Sequence, residues 1–175
     1  MFLFYWPIGL LPVLRTLSQI IMAGVAITAF SLLLYALTFN LRDRVASSFT
    51  LILMCVVIMY TAESVGSTSL PTWVDFWQRV EWIGVILLPA TYLHFSDALL
   101  ATTGKPSRGK RSVTNIIAYL ISFAFIAGLP FTDYYHIHFF EQQSVFYFNP
   151  PALIVPAYFM TGIAMSWYNF VRAFR

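Results

Sequence analysis

Long runs of apolar residues, separated by short polar segments, dominate the chain. A helix that crosses a bilayer needs about 20 mostly apolar residues. The residue-by-residue alternation of apolar and polar positions that marks membrane β-strands does not occur. The pattern therefore predicts an all-α integral membrane protein, a five-helix transmembrane bundle that forms one membrane domain over residues 17–175. Its predicted spans cover about 17–39, 49–70, 76–100, 113–130 and 151–171.

Residues 1–16 precede the first predicted span and are also apolar, but they lack the basic start of a signal peptide. Pro7 and Pro12 interrupt this segment, and proline disrupts a helix interior. Tyr5 and Trp6 are residue types that concentrate at headgroup depth. We predict that residues 1–16 form an interfacial or re-entrant segment.

The distribution of basic residues predicts the orientation of the spans. Only 10% of the residues are charged, against about 25% in average soluble domains. Cytoplasmic loops of membrane proteins are enriched in Lys and Arg, so the N-terminus is predicted outside and the C-terminus in the cytoplasm. We expect localisation in the bacterial cytoplasmic membrane and no nucleic-acid partner. Eight basic residues fall on the predicted cytoplasmic side: Arg42, Arg44, Lys105, Arg108, Lys110, Arg111, Arg172 and Arg175.

Four of these basic residues lie in one Gly/Pro/Ser-punctuated stretch between the third and fourth spans. Each basic residue near an anionic membrane surface contributes about 1 kcal/mol to lipid binding. We predict that this stretch contacts lipid headgroups. The residues concerned are Lys105, Arg108, Lys110 and Arg111.

The third span, 76–100, combines an apolar sequence with ionisable residues and a central proline. Pro89 removes the hydrogen bond to the carbonyl of Val85, so we predict a kink there, which is either a static feature of the fold or a moving element. At 100° per residue, five residues of this helix fall on one face, opposite Glu81. That face comprises Arg79, Ile86, Ala90, Leu93 and Asp97.

Two charges of opposite sign lie at matching depth near the external ends of spans two and three. Glu63 and Arg79 are neighbours if the short turn between the spans is tight, and pairing lowers the cost of holding both charges in the membrane. The sequence predicts an intramembrane ion pair between them. The alternative is that Arg79 extends to the external interface while Glu63 is hydrogen-bonded or protonated.

Three histidines are candidate ligands. His94 lies about two turns from the cytoplasmic end of span three, where an imidazole can ligate a tetrapyrrole metal, relay protons or simply pack. Asp97, one turn further, is predicted at the cytoplasmic interface. His136 and His138, in the external loop, are residue types that zinc prefers, but their spacing matches no closed structural site. We predict no bound metal and no obligatory cofactor, while lipid, quinone or pigment stay open.

The stretches YTAESVGSTS and FWQRVEWIGVILLPATYLHFSDALLATTGK, best matched over about 60–105, resemble the N-terminal seven-helix membrane region of bacterial sensor histidine kinases. The later TDYYHIHFF resembles the segment that follows helix four of that region. The family's sixth and seventh spans and its kinase have no counterpart here, so the resemblance implies a truncated input region of about five helices. The family positions are occupied by Glu63, Trp77, Trp82, Gly84, Pro89 and Lys105.

This resemblance implies a membrane sensory or input module without kinase activity, which signals through helix packing to a separate output protein. The alternative is an accessory structural subunit of a photosynthetic or respiratory membrane complex. Its 17 Phe, 10 Tyr and 5 Trp would then pack against lipid, quinone or pigment. A transporter is less favoured, because the span centres lack polar residues. We expect no enzymatic activity, because the sequence has no nucleophile–base pair, phosphate loop or metalloprotease helix.

Overall fold

The computed structural model describes residues 10–39, 43–103, 110–131 and 154–174. Each predicted span overlaps one helix, so the predicted all-α architecture is confirmed for this part of the chain. Three helical segments are long and apolar enough to cross a membrane, namely Thr16–Thr38, Arg44–Thr68 and Thr72–Thr102. The helices are α1 (Leu10–Phe39), α2 (Arg44–Thr68), α3 (Pro71–Thr102), α4 (Lys110–Gly128) and α5 (Ile154–Phe174).

Helix α1 begins at Leu10, inside the segment predicted to be interfacial or re-entrant. Pro12 is its third residue, and the first turn of a helix tolerates proline because its backbone N–H groups have no intrahelical partner. Residues 10–16 therefore extend the first helix toward the N-terminus. Residues 1–9 lie outside the described part of the chain.

Helices α2 and α3 form a hairpin with a very short link. Asp43 caps α2 by accepting a hydrogen bond from the Val45 backbone N–H at 3.3 Å. At the other end, the Ser69 backbone N–H donates to the Gly66 carbonyl at 3.2 Å. Pro71 then opens α3 at a position that suits its fixed φ and missing N–H. The two helices are consequently antiparallel neighbours.

Helix α3 is the centre of the bundle, because it packs against α2, α4 and α5, while α1 packs against α2. Small buried residues line these interfaces, as expected where apolar helices associate by close backbone approach. Among the α1 residues whose burial is described, the buried ones are Ala29 and Ala36, two turns apart. Elsewhere the small buried residues include Ala62, Gly84, Ala90, Ala118, Gly162 and Ser166.

The outer surface of the bundle is strongly apolar. On α1, Ile20 and Ile27 are 64% and 67% exposed. Contiguous apolar surface of this kind is rare on soluble monomers. It is compatible with a membrane protein whose outer side chains contact lipid.

Candidate functional site

The contact between Pro89 and Gly162 lies where the middle of α3 meets α5. Both residues are buried. A Cβ placed on Gly162 would lie 2.6 Å from the Pro89 Cβ, closer than two such carbons approach in real structures. Because Pro89 has no N–H, the Val85 carbonyl has no α-helical partner at this point. The backbone of α5 therefore presses directly on the section of α3 where the helical hydrogen bonding is interrupted.

A hydroxyl network, comprising Ile86, Ala118, Ser122 and Tyr158, joins three helices beside this contact. The Ser122 hydroxyl on α4 lies 2.9 Å from the Ile86 carbonyl oxygen of α3, to which it can donate. The Tyr158 hydroxyl on α5 lies 2.9 Å from Ser122 Oγ and 2.9 Å from the Ala118 carbonyl oxygen, and it can donate its one hydrogen to either. Ser122 is fully buried. The Ile86 carbonyl is one residue beyond that of Val85, the carbonyl whose α-helical partner Pro89 removes.

A second polar contact joins α3 and α5 nearer the C-terminal end of both helices. The Asn169 amide donates to Ser96 Oγ at 3.1 Å. Ser166, one turn before Asn169 and fully buried, donates instead to the Gly162 carbonyl of its own helix at 2.8 Å. Helices α3 and α5 are thus joined at two places: the Pro89–Gly162 contact at the middle of α3, and the Asn169–Ser96 hydrogen bond nearer the C-terminal ends of both helices.

An apolar groove runs along the same α3–α5 contact. Its volume is about 230 Å³, larger than the roughly 150 Å³ apolar cavity that accepts benzene in a soluble protein. Four of its eight lining residues are aromatic. The groove is lined by Leu88, Pro89, Tyr92, Phe159, Ile163, Ser166, Trp167 and Phe170.

His94 has a specific partner on α4. Its Nδ1 lies 3.2 Å from the Tyr119 hydroxyl, and the two rings meet edge to face. This contact engages one ring nitrogen, so a ligand to His94 would have to bind Nε2. Among the described residues, no group of three or more His, Cys, Asp or Glu side chains is placed to hold a metal. Tetrapyrrole ligation by His94 stays a prediction.

Arg79 contacts the end of α4. Its Nη1 donates to the Leu129 carbonyl at 3.1 Å, while Glu63 lies within electrostatic range of Glu81 on α3. An ion pair between Glu63 and Arg79 is not among the contacts of the described residues. The bond to Leu129 occupies one of the five N–H donors of Arg79, and the ion pair with Glu63 stays a prediction.

Asp97 is more enclosed than its predicted interfacial position implies. Its Oδ1 atom is buried and has no hydrogen-bond partner among the described residues. The residue lies one turn beyond Leu93 on the face of α3 that packs against Ala118 of α4. The prediction that Asp97 lies at the cytoplasmic interface stays a prediction.

The remaining predicted site residues fall mostly outside the described residues. This applies to Lys105 and Arg108 of the basic stretch and to both external histidines, His136 and His138. Lys110 and Arg111 are the first two residues of α4. Their predicted roles in lipid and metal binding stay predictions.

Sequence reasoning missed three residues of this site: Gly162, Ser122 and Tyr158. One signal was available, because Gly162 and Ser166 form a small-x-x-x-small pair on α5, a spacing typical of close helix packing in membranes. No comparable signal marks Ser122 or Tyr158. No protein family, curated protein or solved structure matches the chain.

Proposed function

We propose that the chain is the input module of a membrane sensory system. It spans the membrane five times with its N-terminus outside, has no enzymatic activity and passes signals to a separate protein through helix packing. The observation that supports this proposal is the position of Pro89. The interrupted section of α3 lies against Gly162 of α5 and beside the hydroxyl network of α4 and α5.

The mechanism is a small rearrangement of α3 about Pro89. At one end of α3, Arg79 is tied to α4 through the carbonyl of Leu129. Toward the other end, Ser96 is tied to α5 through Asn169. A ligand that displaces α4 at the outer end would bend α3 at its weakest backbone section and shift its cytoplasmic half against α5. Signalling of this kind requires two populated arrangements of one element.

Insertion and orientation can be tested by cysteine labelling of intact cells. In a Cys55→Ala background, Thr72→Cys and Thr103→Cys place single thiols at opposite ends of α3. A membrane-impermeant maleimide should label residue 72 in intact cells and residue 103 only after permeabilisation. The reverse result would contradict the orientation, and labelling of both thiols in intact cells would contradict the α3 span.

Signal transmission can be tested with a fusion of the full chain to the cytoplasmic core of a dimeric histidine kinase. We expect Gly162→Leu to change autophosphorylation several-fold, because the larger side chain must push α5 away from Pro89. The control is Gly24→Leu, at a site where a Cβ meets nothing within 4 Å. Equal activity in the parent and both variants would argue that α3–α5 packing carries no signal.

The groove supports a second proposal, an accessory subunit of a larger membrane complex. Its aromatic walls suit a hydrocarbon chain or a quinone ring held between subunits. Purification in mild detergent separates the two functions. A stable multi-subunit complex, with a bound quinone or pigment in its absorbance spectrum, supports the accessory role. A small monodisperse protein supports the input module, and a featureless visible spectrum removes His94 as a tetrapyrrole ligand.

A further inference from the structure

The hydroxyl network contains more close contacts than it has hydrogens. Three oxygen–oxygen distances of 2.9 Å join, in order, the Ile86 carbonyl, the Ser122 hydroxyl, the Tyr158 hydroxyl and the Ala118 carbonyl. A hydroxyl donates one hydrogen and a carbonyl donates none. The two hydroxyl hydrogens can form hydrogen bonds across only two of the three oxygen–oxygen contacts at any one time, so one contact is always without a hydrogen bond.

Only two arrangements avoid a repulsive contact between the hydroxyls. If Ser122 donated to Ile86 while Tyr158 donated to Ala118, the two hydroxyl oxygens would face each other at 2.9 Å with no hydrogen between them. In the first remaining arrangement, Ser122 donates to Ile86 and Tyr158 donates to Ser122. In the second, Ser122 donates to Tyr158 and Tyr158 donates to Ala118.

We infer that Ser122 and Tyr158 form a two-state hydrogen-bond switch that holds or releases α3 at Ile86. The held state is the first arrangement, in which α4 is bonded to α3. The released state is the second, in which both hydroxyls bond only within α4 and α5. This switch deepens the proposed input function, on which its signalling role rests.

The released state matters because it leaves no hydroxyl hydrogen unbonded. In an apolar interior an unbonded donor carries a large desolvation cost, which normally opposes the breaking of an interhelical hydrogen bond. Here the Ser122 hydrogen turns to Tyr158, and the Tyr158 hydrogen turns to Ala118. Ile86 lies three residues before Pro89, in the section of α3 that is easiest to bend. The hydrogen bond to Ile86 can therefore break without leaving a hydroxyl donor unbonded.

The switch predicts opposite effects for two conservative substitutions. Tyr158→Phe removes the acceptor that Ser122 uses in the released state, so it favours the held state. Ser122→Ala removes the only hydroxyl of the network bonded to Ile86, so it favours the released state. A contact with a purely structural role would instead be loosened by both substitutions.

Pulsed electron paramagnetic resonance on the full chain in lipid nanodiscs can measure both populations. Nitroxides on Thr72→Cys and Ala127→Cys, in a Cys55→Ala background, report the distance between exposed positions of α3 and α4. We expect two distances in the parent. Each substitution should shift the ratio of their populations by about 2- to 10-fold, the effect of one hydrogen bond, with Tyr158→Phe favouring the shorter distance and Ser122→Ala the longer.

A matched control and two contrary outcomes complete the experiment. Ser166→Ala removes another buried serine hydroxyl, which bonds only within α5, and should leave the distances as in the parent. One unchanged distance in every variant, or a shift in the same direction for both substitutions, would overturn the switch. If Ser122→Ala does not fold, a shift of Tyr158→Phe toward the longer distance is sufficient to overturn it.

The kinase fusion separates failure of the switch from failure of the proposed function. Opposite distance shifts without any change in kinase output would leave the switch standing and argue against the input function. A kinase response to Gly162→Leu without the predicted distance shifts would argue against the switch and leave the input function standing.

Discussion

Gly162 of α5 lies directly against the ring of Pro89 in the middle of α3, so that an added Cβ would stand 2.6 Å from the Pro89 Cβ. Glycine and proline are the two weakest helix formers, yet here each lies within a continuous helix. The glycine provides the close approach, and the proline weakens the helix at the point of contact. Their pairing explains why both residue types are tolerated at buried positions of this bundle.

Gly162→Ala should destabilise the bundle by about 1–3 kcal/mol, the usual range for an overpacked core position. The methyl group would meet the ring and backbone of Pro89, which cannot rotate away. Gly24→Ala is the control, since nothing lies within 4 Å of its added Cβ, and it should be neutral or stabilising. Thermal unfolding in detergent micelles measures both. Equal melting temperatures for the two variants would contradict the contact.

The effects of substitutions at residues 89 and 162 should not be additive. Pro89→Gly removes the Cβ that the new methyl of Gly162→Ala would meet, so the double variant should lose less stability than the sum of the single variants. The coupling free energy between contacting residues is typically about 0.5–3 kcal/mol, and we expect a value in this range for residues 89 and 162. A double-mutant cycle of unfolding free energies measures it. Additivity within about 0.5 kcal/mol would show that the two residues do not share this contact.

Glycines at the α2–α3 contact should differ in their tolerance of alanine. A Cβ on Gly84 would lie 2.7 Å from the Cys55 carbonyl oxygen, a backbone atom that moves only with the whole of α2. A Cβ on Gly66 would meet the Trp77 Cβ at 3.1 Å, which needs a shift of only a few tenths of an ångström. We therefore expect Gly84→Ala to lower the melting temperature more than Gly66→Ala. The reverse order would show that α2 and α3 are closest near their linked ends.

The elements that the sequence predicted correctly depend on local properties. Apolar length located all five helices, and the 3.6-residue period placed Ile86, Ala90 and Leu93 together on a face of α3 that is buried in the structure. Helix α1 begins at Leu10, ahead of the predicted span, because Pro12 is acceptable in a first turn and disruptive only later.

The contacts of the candidate site could not be predicted in the same way. Ser122 and Ile86 are separated by 36 residues, and Arg79 and Leu129 by 50. Such contacts depend on how each helix is rotated about its axis, and helices that are apolar on most sides carry little amphipathic signal to fix that rotation. The Glu63–Arg79 pair was predicted from the similar depth of the two residues in the membrane. Depth follows from position along the sequence, whereas the rotation of each helix does not.

Arg79 provides a direct test of that difference. Arg79→Ala should lower the unfolding free energy by about 1.5–3 kcal/mol, because it removes a charged donor from the carbonyl of Leu129. The exchange of charges in Arg79→Glu with Glu63→Arg should not restore stability, since a glutamate at residue 79 cannot donate to that carbonyl. Thermal unfolding of the two single variants and the double variant measures the outcome, with Arg79→Lys as a control that keeps the charge. Recovery of the parent melting temperature by the double variant would instead establish the Glu63–Arg79 ion pair that the sequence predicts.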